Sequence, residues 1–113
     1  MAIKLQMLCV ADKINPVRGK NTIRKLDGKY QNLEVGDPVV LLHTKDASGK
    51  EPMATEMATV SSLFIGSLEA VVEHNHIGNH SRLAQETMKG FAERIAKFYG
   101  GDASGPFIAI YFK

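Results

Sequence analysis

Cys9 is the only cysteine, so no internal disulfide can form, and nothing argues for an oxidising compartment. It sits in an apolar run with Leu5, Met7, Leu8 and Val10 and reads as a buried, inert thiol. Tryptophan is absent and aromatics are few, with three Tyr and five Phe. Phe98 and Tyr99 are among the few rings that could meet a ligand, and packing of a helix C-terminus explains them as well. No apolar stretch approaches the roughly 20 residues that a membrane span needs. Met1 to Val10 lacks the long apolar core and cleavage site of a signal peptide. A soluble, cytoplasmic protein is expected, with no membrane partner. Repeats, low-complexity tracts and linkers are also missing, and 113 residues fit one domain spanning 1–113. That length can bury a core without a staple.

Charge is nearly balanced, at +2 overall, but it is unevenly distributed. Lys13, Arg18, Lys20, Arg24, Lys25 and Lys29 face a single acid, Asp27, within one stretch, so the remainder of the chain is net negative. A local basic patch on a near-neutral domain suits an anion- or phosphate-facing surface. A solvated strand and loop explains the charge equally well.

Hydrophobic periodicity orders the elements. Ile3 to Val10 reads as a strand, and Pro16 stops any helix that Ala11 begins. Asn21 to Lys25, with β-branched Thr22 and Ile23, reads as a second strand ending at the Asp27-Gly28 turn. A tight turn at Gly36-Asp37 leads into an apolar strand, Pro38 to Leu42, with His43 at its end as a satisfied edge residue. Thr55 to Ile65 reads as a long strand. Ser67 can cap a short helix through Glu73, with Leu68, Val71 and Val72 on one face. Asn79 or Ser81 caps a longer helix whose apolar stripe is Ala84, Met88, Phe91, Ile95 and Phe98, ended by Gly100-Gly101. Pro106 to Phe112 is apolar throughout, as in a strand buried on both faces. The pattern predicts an α+β fold, or a barrel of about five strands plugged by a short helix and one long helix.

Three segments in this order resemble the ASCH family, a branch of the PUA-like barrels. Gly19-Lys20-Asn21-Thr22-Ile23-Arg24 is similar to the family's glycine–lysine–threonine run ending in Ile-Arg. Leu33 to Leu41 resembles its Gly-Asp turn and strand. Phe91 to Gly100 followed by Phe107 to Phe112 resembles its closing helix and last strand. The resemblance covers nearly the whole chain and implies a small PUA-like β-barrel with a cleft beside the second strand, directed at RNA or a nucleoside. Some small members hydrolyse the acetyl amide of N4-acetylcytidine with a lysine, a threonine and a glutamate. Thr22 matches the threonine. Lys20 is the nearest match for the lysine, one residue closer to the threonine than in the family pattern. For the acid the pattern points near His76; Glu73 is the closest carboxylate before it and Glu86 the closest after.

Lys20, Thr22 and Arg24 alternate in parity, so on an extended strand they share one face. On a hydrolytic reading Thr22 attacks or positions water and Lys20 accepts the proton. Arg24 then steadies the oxyanion and Glu73 holds Lys20. On a binding reading Arg18, Asn21 and Arg24 meet substrate or RNA, and His76 and His80 hydrogen-bond or stack on a base. A third reading lets His74, His76 and His80 hold zinc for a metal-dependent hydrolase. Neither of the first two readings calls for a cofactor or metal. All three sets of residues also suit an ordinary exposed strand or polar loop.

Overall fold

Alternation and turn chemistry set out the strands, and a bend in the longest of them sets the architecture. The computed structural model describes residues 3–8, 21–44, 54–75 and 87–113. In chain order the elements are β1 (Ile3–Leu8), β2 (Asn21–Lys25), β3 (Pro38–Thr44), β4 (Ala54–Gly66), α1 (Leu68–Asn75), α2 (Met88–Lys97) and β5 (Phe107–Phe112), with a 3-10 turn at Gly28–Tyr30. The strands form one sheet in the order β1-β3-β4-β5-β2. Only the β1–β3 pair is parallel. The sheet curls into a half-barrel with two helices against it, as the sequence pattern predicts.

β4 makes the curl. Its first half, up to Thr59, pairs with β3, and its second half, from Val60 to Gly66, pairs with β5. A bulge between Val60 and Ser62 separates the two registers, and a bulge bends its strand and increases the local twist. The preceding turn pins that point. Gly36 N–H donates to Val60 O at 2.8 Å, and Val60 N–H donates to Asp37 O at 2.9 Å. The turn itself closes through Asp37 N–H to Glu34 O at 3.1 Å, and the Asp37 carboxylate accepts from Glu34 N–H at 2.9 Å. Gly36 holds φ +96°, which the third position of a type II turn requires.

Two apolar clusters result. Leu5, Val39, Leu41, Val60, Ile108, Ile110 and Phe112 fill the inside of the curl. Ile23, Leu68, Val71, Val72, Phe91, Ile95, Phe107 and Ala109 join the outer face of the β4–β5–β2 portion to the helices. β5 feeds both, so Phe107 to Ile110 are almost wholly buried. Burying such a side chain is worth about 1.5–3 kcal/mol.

Ser67 Oγ accepts from Ala70 N–H at 3.2 Å and starts α1, with Leu68, Val71 and Val72 buried as expected. α2 differs from its expected stripe. Phe91 and Ile95 are buried, but Met88 is 46% and Phe98 54% exposed. Thr87 caps the helix, its hydroxyl accepting from Gly90 N–H, so Met88 is the first helical residue, while Phe98 follows the last one. Ala92, Ala96 and Tyr99 fill out the packed side instead. Ala84 and the expected caps, Asn79 and Ser81, lie outside the described residues, as does Cys9. The glycine stop behaves as the sequence suggests: Gly101 N–H donates to Ala96 O and Gly100 N–H to Lys97 O, both glycines at positive φ. His43 is a correction. β3 runs on to Thr44 between β1 and β4, so His43 is not at an edge. It is buried on the inner side, its Nε2 donating to Glu56 Oε1 at 3.1 Å.

Candidate functional site

β2 is the last strand in the sheet order and carries the residues singled out by sequence. Directly opposed residues of an antiparallel ladder project to the same face. Thr22 opposes Ile110 and Arg24 opposes Ile108, both in the inner cluster. Asn21 opposes Tyr111 and Ile23 opposes Ala109, on the side packed by the helices. Thr22 and Arg24 therefore share the inner face and Asn21 the outer one. Thr22 has no exposed surface and Asn21 almost none. The Thr22 hydroxyl accepts a hydrogen bond from Arg24 Nε at 3.1 Å, with the Arg24 side chain half-buried. A buried hydroxyl must be satisfied, and a charged donor satisfies it strongly.

The outer face ends in an aromatic group. Phe64 of β4 and His74 of α1 stack with ring centroids 4.1 Å apart and an interplanar angle of 12°. The Tyr111 ring meets His74 edge-on at 5.6 Å and 69°, and its hydroxyl shares a hydrogen bond with His74 Nδ1. His74 itself is exposed. The ladder places Tyr111 beside Asn21, so this group sits at the N-terminal end of β2. By sequence His74 belongs to a histidine cluster that could hold zinc or meet a base, whereas Phe64 and Tyr111 carry no site motif. The shared parity of Phe107, Ala109 and Tyr111 was the available signal.

The sequence-predicted residues divide clearly. Thr22 and Arg24 are brought together. Glu73 lies exposed on α1, on the helix side of the sheet, whereas Thr22 lies on the inner side. Glu73 instead lines a groove of about 740 Å³ between α1 and α2, with Leu68, Glu69, Val72, Ala92 and Glu93. Arg18, Lys20, His76, His80 and Glu86 lie outside the described residues, though the chain enters β2 from Lys20 and leaves α1 toward His76. Among the described residues no three His, Cys, Asp or Glu side chains cluster as metal ligands. His74 Nδ1 is already engaged by Tyr111.

The far end of β2 is anchored. Lys25 N–H donates to the Tyr99 hydroxyl at 3.1 Å, and Lys25 Nζ donates to Asp102 Oδ2 at 2.7 Å. The Lys25 ammonium and then the Ser104 donors hold the Asp102 carboxyl well below the usual carboxylate range. Lys25 is thus committed to fixing the strand against the segment after α2. No described helix is long and apolar enough to cross a membrane.

No family model matches the chain, and no curated protein matches it. Among solved structures, the crystal structure of hypothetical protein PH0355 is similar, with a TM-score of 0.68 at 16% identity, covering 100% of this chain and 98% of that one. The likeness is one of fold: a small curled barrel with its helices, shared from end to end.

Proposed function

We propose that the chain is a PUA-like module of the ASCH type that holds RNA or a modified nucleotide along β2. The state of Thr22 carries this reading over the hydrolytic one. A nucleophilic hydroxyl needs access to a carbonyl and a base to take its proton. Thr22 has no exposed surface, and its hydroxyl accepts from Arg24. Its role is bracing: the hydroxyl fixes the plane of the guanidinium, and a fixed guanidinium suits phosphate oxygens. Glu73 lies exposed on α1, on the helix side of the sheet, away from the inner face that carries Thr22. The basic run from Lys13 to Lys29 supports a polyanionic ligand.

The test is fluorescence anisotropy with a short labelled single-stranded RNA over a salt series. Binding should weaken steeply with salt. Arg24→Gln should lower the slope of log affinity against log salt by about 0.7, the value for one phosphate contact on a single strand. In parallel, purified protein incubated with N4-acetylcytidine should release no acetate above buffer. Release that vanishes in Lys20→Ala would overturn the reading and establish an amidohydrolase acting on an N4-acylated cytidine.

A further inference from the structure

The Phe64–His74–Tyr111 group has no part in bracing Arg24, and packing alone does not account for its form. Phe64 belongs with the outer cluster, and any apolar side chain on α1 could cover it. Instead an exposed imidazole lies parallel to it at stacking distance, and Tyr111 restrains that imidazole at its edge through Nδ1. Ring rotation is opposed from two directions: the stack fixes the plane and the hydrogen bond fixes the orientation within it. One face of the imidazole is taken by Phe64, and the residue remains exposed to solvent. A flat, pre-oriented ring with surface open to solvent is what a stacking platform for an unpaired base requires, because the ordering cost is met before the ligand arrives.

Its position adds to this. Tyr111 opposes Asn21 on the ladder, and Lys20 is bonded to Asn21 in the chain. The platform therefore stands at the Asn21 end of β2, the strand whose other face carries Arg24. The His74-Asn75-His76 sequence, unexplained by a metal site among the described residues, has its first member in this role.

We infer that the exposed face of His74, held by Phe64 and Tyr111, is a seat for one unpaired nucleobase, so that recognition includes a base as well as phosphate. This rests on the RNA- and nucleotide-binding reading above.

The experiment compares a short single-stranded RNA carrying one central 2-aminopurine with the same strand abasic at that position. The wild-type protein should bind the base-containing strand roughly tenfold more tightly, the order expected for one stacked base, and quench its fluorescence. His74→Ala should lose both the preference and the quenching while keeping its affinity for the abasic strand. His74→Phe, which keeps a ring on Phe64, should recover the preference. Tyr111→Phe, which removes the hydroxyl, should reduce it. Circular dichroism of each variant confirms the fold. If wild-type protein binds both strands equally, or if His74→Ala keeps the preference, the base seat is wrong and the phosphate-binding reading survives. If neither strand binds at low salt, the module reading itself fails.

Discussion

At the scale of single residues, neighbours decide what each polar group is for. Thr22 and Asn21 are adjacent and both buried, yet they serve opposite faces of the sheet. Thr22 braces Arg24, and Asn21 lies beside Tyr111. Lys25, one residue past Arg24, is bound to Asp102 and Tyr99. The carboxylate of Asp102 gives a test with a definite sign. Its folded-state pKa is depressed, first by Lys25 and then by Ser104. Its contribution to stability is therefore present above the unfolded-chain value of 3.8 and is lost as pH falls below it. Asp102→Asn should lower the thermal midpoint at neutral pH by a small amount, because the pair is exposed and salt-screened. The gap to the wild type should close as pH is taken below about 4. A gap that stays constant down to pH 2 would assign the loss to packing and not to charge.

At the scale of elements, local signals were legible and long-range ones were not. Asn21 to Lys25 could be bounded from sequence because β-branched residues and the Asp27-Gly28 turn are local features. So could the Ser67 cap and the Gly100-Gly101 stop, which act within a turn of their own helix. The long strand was also legible, but its bend was not, because the bulge between Val60 and Ser62 is specified by bonds from Gly36 and Asp37. Met88 and Phe98 fit a helical stripe by spacing, yet they stand at the two ends of α2, where both stay exposed. Gly36 is the test of this level. With φ +96° and open space at its Cβ position, Gly36→Ala meets only a backbone penalty. It should destabilise the protein by about 1 kcal/mol in urea unfolding. No loss would mean that the turn does not fix the bend.

At the scale of the molecule, both faces of β5 are apolar, so no sequence pattern could say which side the helices would cover. That choice separates Thr22 from Glu73 and assembles Phe64, His74 and Tyr111 from β4, α1 and β5; His74 and Tyr111 are 37 positions apart. The fold was readable as a barrel of about five strands with two helices, whereas the contents of the site depended on a face that only packing decides. The same packing predicts sharply unequal costs along α2. Phe91→Ala, in the buried cluster, should cost about 3–5 kcal/mol. Met88→Ser, on the exposed end of the expected stripe, should stay within about 0.5 kcal/mol. Comparable losses at both sites in denaturant unfolding would contradict the assigned helix face.

Titration of isotope-labelled protein with a short single-stranded RNA, followed residue by residue in amide and histidine-ring NMR spectra, shows whether ligand binds along β2. Shifts should saturate together at Asn21 to Arg24, at His74 and at Tyr111, with Met57 on β4 and the groove residues Glu69 and Glu93 unmoved. Shifts confined to the α1–α2 groove, with β2 and His74 silent, would contradict binding along β2.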